Sequence, residues 1–157
     1  MKQIVFKVGV LVTKDNQLLL IKEKCKADTK YQWNIIKGTV EPEKDSDVFA
    51  AAQREVREEG GVDEVEITAI QSITFLNKED KFFIQVNLLA NTEQEPDENL
   101  RENVENEDIV DARFFSREEL ESMKEDDFLN ERARLTIKEW LADKKYPKDI
   151  IQLLTDY

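Results

Sequence analysis

The sequence of 157 residues contains no histidine and a single cysteine, Cys25. Without histidine, a Ser-His-Asp triad, a Cys-His pair and a histidine-ligated zinc site are all excluded. One thiol forms neither an internal disulfide nor a CxxC pair, and such cysteine usage is typical of a reducing cytosol. We therefore expect a cytoplasmic protein whose chemistry uses neither imidazole nor a pair of thiols.

Long apolar runs and an excess of positive charge are also missing. No stretch approaches the roughly 18 uninterrupted apolar residues of a membrane span. The N-terminal apolar residues are interrupted by Lys7 and lack the small-residue cleavage site of a signal peptide. The chain has 23 Lys and Arg against 35 Asp and Glu, a net charge of −12. Because duplex DNA and membrane surfaces are anionic, we expect this chain to bind neither.

The remaining composition is typical of a globular chain. Apolar residues make up 40% of the sequence, which is too high a fraction for a disordered protein even at this net charge. The length fits one domain of ordinary size and leaves little room for two. We predict a single domain over residues 1–157, with helices in the C-terminal part from about residue 116.

Hydropathy patterns predict strands around one central helix. Runs rich in β-branched and aromatic residues predict strands at 3–13, 17–24, 32–36, 64–76, 81–90 and 109–115. The spacing becomes helical at Ser46, with Ser46 or Asp47 as the cap and Gly60 and Gly61 as the stop. Strands that flank a central helix, with further helices appended, indicate an α+β fold with a mixed sheet.

Three acidic residues lie close together at the end of this predicted helix. Glu55 is three and four positions before Glu58 and Glu59, so the three carboxylates project from one side. Like charges at these spacings, and anions in the last helical turn, both destabilise a helix. Bound cations would compensate for these costs, and magnesium prefers oxygen ligands. An exposed helix end with ordinary surface charge is the alternative interpretation.

The residues around this cluster resemble the signature of the Nudix hydrolases. The second half of that signature reads Arg-Glu-aliphatic-any-Glu-Glu-any-Gly-aliphatic. It is matched at every defined position, by Arg54, Glu55, Val56, Glu58, Glu59, Gly61 and Val62. Residues 37–42 resemble the loop that opens the signature, with Gly38 as its glycine. The resemblance covers about residues 4–122 and implies a mixed β-sheet sandwiched between helices, with a loop-helix-loop catalytic motif.

The opening loop departs from the family's spacing. The separation between Gly38 and the helix arginine is two residues longer than the standard signature. Counting forward places the loop glutamate at Lys44, and counting back places it at Ser46, although neither residue is acidic. Glu43 or Asp45 would take this position if the loop bulges. In the family this acid supports the loop and the arginine, so the departure concerns loop geometry more than metal binding.

The resemblance also implies roles for individual residues. Glu55, Glu58 and Glu59 are the acidic residues of a Mg²⁺ or Mn²⁺ site, and the backbone carbonyl of Gly38 is a further ligand. Glu55 is alternatively the residue that orients or deprotonates water. Arg54 is expected to pair with Glu58 one turn later and with a loop acid. The candidate catalytic residues are therefore Glu55, Glu58 and Arg54.

A further acid is expected from the loop over residues 91–108, the least apolar part of the chain. In the family, a fourth acid often comes from a loop before a late strand. Glu107 and Asp108 stand just ahead of the strand predicted at 109–115, and we favour Glu107 as a metal ligand. The alternative is that both are solvated acids among many in this loop.

The resemblance implies a Mg²⁺- or Mn²⁺-dependent enzyme that cleaves a diphosphate linkage in a small-molecule nucleotide or nucleoside diphosphate derivative. The alternative is a catalytically weak or inactive Nudix-fold module that binds a nucleotide or a protein, for which the missing loop glutamate is the support. An isopentenyl diphosphate isomerase is disfavoured, because that enzyme uses histidine ligands. Dimers are common in the family, so a homodimer is a further expectation. Nothing in the sequence indicates the particular substrate.

Overall fold

The computed structural model describes residues 1–25, 29–102 and 108–154, which form a mixed β-sheet with helices on both faces. The strands are β1 (Gln3–Lys14), β2 (Gln17–Lys24), β3 (Tyr31–Asn34), β4 (Ile36–Thr39), β5 (Glu66–Asn77), β6 (Lys81–Asn91), β7 (Ile109–Phe115) and β8 (Tyr146–Pro147). The helices are α1 (Val48–Gly60), α2 (Arg117–Ser122) and α3 (Glu131–Leu141), with 3₁₀ turns at Glu98–Leu100, Glu125–Asp127 and Lys148–Ile150. The prediction of an α+β fold is confirmed. Within the described ranges, no helix has the length and apolar character needed to cross a membrane.

The sheet has the strand order β3-β2-β1-β6-β5-β8, while β4 pairs with β1 and β7 pairs with β2. The central strands β1 and β6 run parallel from Gln3 to Thr13, along all but the last residue of β1. β1 and β2 pair only beside their connecting turn, at Thr13–Leu18 and Lys14–Gln17. Beyond that point β4 takes the place of β2 next to β1. The strand that carries Gly38 therefore lies directly beside the central strand.

The two faces of the sheet have separate hydrophobic clusters. Successive side chains of β1 alternate between them, so that Val10 faces α1 and Leu11 faces α3. The cluster under α1 includes Val8, Val10, Leu19, Ile21, Val48, Ala51, Ala52, Val56 and Leu88. The cluster under α2 and α3 includes Leu11, Leu20, Ile35, Phe115, Leu120, Ile137 and Trp140. The sheet is thus sandwiched between helices, as predicted.

The single strand predicted at 32–36 is instead divided at Ile35. The backbone N–H of Ile35 donates to Asn34 Oδ1 at 2.9 Å, which replaces a ladder hydrogen bond. On one side of this break Asn34 pairs with β2, and on the other Ile36 pairs with β1. Hydropathy did not reveal the division, because the residues on both sides of Ile35 are buried.

The boundaries of α1 are set by its caps. The side chain of Asp47 accepts hydrogen bonds from the backbone N–H groups of Phe49 and Ala50, both at 2.9 Å. Of the two predicted caps, Asp47 is therefore the one used. The helix ends at Gly61, whose φ of 68° is left-handed. These two ends place the acidic residues of the last two helical turns against β4.

Candidate active site

The acidic residues of α1 contact the backbone of β4. Glu59 Oε1 accepts a 2.8 Å hydrogen bond from the backbone N–H of Lys37. The carboxyl group of Glu55 lies against the next residue, Gly38, where an added Cβ would stand 1.9 Å from the carboxyl carbon. Because any other residue would displace that carboxylate, the close approach requires glycine at this position. The packing of α1 on β4 thus joins two of the three acids to the opening loop.

Arg54 connects the loop to the helix. Its Nε and Nη2 atoms donate to the two carboxylate oxygens of Asp45, each at 2.8 Å. Its Nη1 atom donates to Glu55 at 2.8 Å and to Glu58 at 3.2 Å, and Nη2 donates to the carbonyl of Thr39 at 3.0 Å. The planar guanidinium suits bidentate contact with a carboxylate. One cation therefore contacts three carboxylates and the end of β4.

Asp45 occupies the position of the loop acid, for which the sequence left four candidates at residues 43–46. Its side chain is 1% exposed, and its Oδ2 also accepts a 2.8 Å hydrogen bond from the backbone N–H of Glu41. The backbone N–H groups of Lys44 and Asp45 both donate to the carbonyl of Glu41, which closes a turn over residues 41–45. This turn accommodates the two additional residues. The missing loop acid, which supported the inactive alternative, is therefore supplied by Asp45.

The Arg54 cluster carries excess negative charge. The guanidinium of Arg54 lowers the pKa of Asp45 below its usual value of 3.8, despite the opposing effect of burial. Asp45 in turn is the main cause of a raised pKa for Arg54, so this pair stays ionised at neutral pH. The ion pair of Asp45 and Arg54, together with Glu55, Glu58 and Glu59, forms the cluster. Its four carboxylates and one guanidinium carry a formal charge of −3 if all are ionised. Such a cluster favours a divalent cation.

Burial separates these acids from ordinary surface charge. Glu59 is 0% exposed and Glu55 is 6% exposed, whereas Glu58 is partly exposed. Taking a carboxylate out of water costs several kcal/mol unless cations or hydrogen bonds compensate. The alternative of an exposed helix end is therefore wrong for two of the three acids.

The donor atoms of the cluster fit a hard divalent cation. They are carboxylate oxygens beside a closely approached backbone, and Mg²⁺ and Mn²⁺ prefer oxygen ligands. Among the described residues, no three acidic side chains are close enough to hold one ion as they stand. In this arrangement Arg54 Nη1 contacts both Glu55 and Glu58, while the Lys37 N–H donates to Glu59. A cation bound here would compete with Arg54 for those two carboxylates.

Glu107, the further acid predicted from the loop, belongs to residues 103–107, which lie outside the described residues. On one side of this segment the backbone N–H of Glu102 donates to the carbonyl of Glu58 at 2.9 Å. On the other side Lys24 N–H donates to the carbonyl of Asp108 at 3.2 Å, and the Asp108 side chain is exposed. The described part of the loop thus contacts the last turn of α1, and Glu107 stays a prediction.

Sequence reasoning missed a buried polar group behind β4. Glu23 Oε1 accepts a 2.6 Å hydrogen bond from Asn34 Nδ2 and lies 3.6 Å from the ammonium of Lys37. Both Glu23 and Asn34 are buried. The signal in the sequence is the alternation of β2, which puts Glu23 on the same face as Ile21. This group supports Lys37, whose backbone contacts Glu59.

The protein thus combines a mixed sheet with an acidic site where a loop meets a helix. Comparison with family models identifies the family. A family model for the NUDIX domain matches residues 5–138. The chain belongs to the Nudix family. The match continues beyond residue 122, where the resemblance read from the sequence ended, and includes most of α3.

Solved structures with a similar fold agree with this membership. A NUDIX hydrolase from Nitrosomonas europaea has a TM-score of 0.77 and 22% identity, and the alignment covers 96% of this chain and 97% of that one. An ADP compounds hydrolase has a TM-score of 0.65 at 20% identity, covering 88% and 74% of the two chains. The NUDIX domain of Shewanella oneidensis NrtR, solved with ADP ribose, has a TM-score of 0.59 at 12% identity, covering 90% and 89%. These similarities show the fold alone. Comparison with curated proteins gave no significant match.

Proposed function

We propose that this protein is a divalent-metal-dependent hydrolase that cleaves a diphosphate linkage in a nucleotide-type compound. The observation that carries the proposal is the buried carboxylate cluster where α1 meets Gly38. Glu59 is fully buried, and the carboxylate of Glu55 lies so close to Gly38 that a Cβ there would displace it. A protein does not gain stability from gathering carboxylates in this way, so we attribute the arrangement to cation binding.

In this proposal Glu55, Glu58 and Glu59, with the Gly38 carbonyl, hold Mg²⁺ or Mn²⁺. The ion would neutralise the diphosphate and make a bound water more acidic. The alternative role of Glu55, in place of holding the ion, is to orient the attacking water and accept its proton. Arg54 is a positioning residue, because its contacts with Asp45 and Thr39 hold the loop against the helix.

The charge of the chain supports the need for a cation. A net charge of −12 repels an anionic diphosphate at long range, and the cluster repels it at short range. The cluster contains carboxylates and a guanidinium but no thiol, so the proposal assigns the attack to water. The substrate class is supported by the names of similar structures, which mention ADP compounds and ADP ribose.

A substrate panel read by phosphorus NMR tests this proposal. Purified protein is incubated with ADP-ribose, nucleoside diphosphate sugars, dinucleoside polyphosphates and nucleoside triphosphates, each with Mg²⁺, with Mn²⁺ or with EDTA. We expect cleavage of a P–O–P bond in at least one class, dependent on added metal. The spectrum also shows which phosphorus receives oxygen from labelled water. Binding of a nucleotide without cleavage under every metal condition would contradict the proposal and favour a binding module.

A further inference from the structure

Three strands of the sheet extend beyond the part that α1 covers. The pairing of β1, β6 and β5 places Val8, Val86 and Ile73 in one row across the sheet. Val8 and Val86 are buried in the cluster under α1, whereas Ile73 is half exposed. Alternate residues further along each strand lie on the same face. Together with Ile73 they form a surface that we call the apolar patch: Ile4, Phe6, Ile73, Phe75, Phe82 and Ile84.

The apolar patch is open to solvent. Ile4 is 69% exposed, Phe75 is 65% exposed and Phe6 is 40% exposed. The ring centres of Phe75 and Phe82 are 5.8 Å apart, so side chains of neighbouring strands meet and form one continuous surface. Contiguous apolar surfaces of this kind mark interaction sites, because leaving them in water costs free energy.

The opposite face of the same strands is covered by charged side chains. There Phe83 lies beneath the ammonium groups of Lys7 and Lys78, at 6.0 and 5.6 Å from its ring centre. Long lysine side chains cover apolar surface in this way while their charge stays in water. At the border of the apolar patch, by contrast, the ammonium of Lys2 donates to Asn77 Oδ1 at 2.6 Å. The six side chains of the patch carry no charge, so an uncharged surface complements them best.

The size of the apolar patch matches one side of a dimer interface. Its four most exposed side chains offer roughly 400 Å² of apolar surface, taking about 200 Å² for a complete side chain. An interface of ordinary size buries about 800 Å² on each partner, and in homodimers about 65% of that area is apolar. The patch therefore supplies most of the apolar area that one copy contributes to a stable dimer.

A second copy of the chain is the occupant that these observations favour. In a two-fold contact the same surface is present on both sides, so the apolar patch faces itself and buries no unpaired charge. An anionic membrane surface is disfavoured by the net charge of −12. It is also disfavoured by the neighbouring loop. The backbone N–H of Val40 donates to the carbonyl of Phe6 at 2.9 Å, and the acidic residues Glu41 and Glu43 follow at once.

We propose that two copies of this protein associate through the apolar patch, with their sheets packed face to face. Sheets that pack in this way lie about 10 Å apart and interdigitate their side chains. Phe6 and Phe75 stand in one row on either side of Ile84 and form the centre of the contact. Because the contact is apolar, salt does not dissociate it, and screening weakens the repulsion between two chains of charge −12. Association through this surface does not depend on the proposed catalytic activity.

Sedimentation equilibrium of the full chain, from about 1 to 200 µM protein, tests this association. We expect a dimer with a dissociation constant in the micromolar range or below, which persists in about 0.5 M NaCl. Phe75→Lys should weaken association about 100-fold or more, because each dimer contains the substitution twice and the lysine brings unpaired charge into the contact. Ile4→Lys, at the margin of the patch, should weaken it about tenfold. Both side chains are exposed, so circular dichroism should show that both variants are folded.

Val110→Lys is the matched control, because it adds the same charge at an exposed strand residue outside the apolar patch, on β7. Its dissociation constant should stay within about twofold of the wild-type value. A wild-type protein that remains monomeric throughout the range, or a dimer that both patch variants leave intact, would overturn the proposal. A monomer that binds phosphatidylserine vesicles, when Phe75→Lys does not, would overturn it in favour of a lipid surface. A dimer that dissociates in high salt would overturn it in favour of an ionic contact.

Discussion

Helices α1 and α3 pack on opposite faces of one sheet and begin in the same way, but they place their acidic residues differently. Asp47 and Asn130 each accept hydrogen bonds from backbone N–H groups of the first turn. In α1 two glutamates are buried against β4. In α3 Glu131 and Glu139 remain accessible to solvent, where they pair with Arg134 and Lys144.

This difference shows that burial, rather than the number of acids, distinguishes the candidate site. Exposed ion pairs contribute little to stability because water and salt screen them, so the acids of α3 mainly keep that surface solvated. Buried carboxylates are costly, and the structure keeps two of them in α1. The following predictions test this contrast.

The largest effect is expected for the double variant Glu58→Gln/Glu59→Gln. The amide oxygens keep the hydrogen-bond acceptors, including the one for the Lys37 N–H, but they remove two negative charges from the proposed cation site. We expect a folded protein with metal-dependent phosphate release reduced about 10³-fold. The matched control is Glu131→Gln/Glu139→Gln in α3, which should retain full activity. Near wild-type turnover in the α1 variant, or equal losses in both, would refute the assignment.

A smaller loss is expected for Gly38→Ala. The new Cβ would displace the Glu55 carboxylate, whose flexible side chain can move aside without unfolding the protein. Turnover should fall about 10²-fold, while the stability of the fold changes by about 1 kcal/mol. Thr39→Ala is the control, because its side chain is exposed and its carbonyl contact with Arg54 is kept. Activity assays and thermal unfolding of both variants measure the contrast, and unchanged turnover in Gly38→Ala would exclude a role for this close approach.

Asp45→Asn tests the buried ion pair through stability. We expect the free energy of unfolding to fall by about 2 kcal/mol at neutral pH. The reason is that a neutral amide compensates the buried charge of Arg54 less well than the carboxylate does. The folded protein lowers the pKa of Asp45, so the unfolded chain binds this proton more readily. The stabilisation is therefore present above about pH 3.8 and is lost as the pH falls through the lower folded value. Urea unfolding should show the two proteins converging below pH 3.8. A constant difference at every pH would contradict this.

The smallest effect is expected for Arg57→Gln. Arg57 lies on the exposed side of α1 and pairs with Asp63 at 2.9 Å, with both side chains about half exposed. We expect a change in stability below about 0.5 kcal/mol and no change in turnover. A loss of activity in this variant would show that position on α1, rather than burial, explains the contrast.

Local patterns in the sequence predicted most of the elements. The helical spacing from Ser46 gave α1, and the apolar run at 109–115 coincides with β7. Such patterns succeed because neighbours along the chain decide which residues share a face. The parallel pairing of β1 with β6 could not be predicted, because alternation shows that a strand has a buried face but not which strand lies beside it.

The sequence by itself determined the chemistry available to this protein. It contains no histidine, and it places Glu55, Glu58 and Glu59 at helical spacing, so oxygen ligands are what that helix end can offer. Only the tertiary structure decided that Asp45 is the loop acid and that Glu59 is fully buried. Residue counting measures distance along the chain, whereas the turn over 41–45 and the packing of α1 on β4 set distances in space.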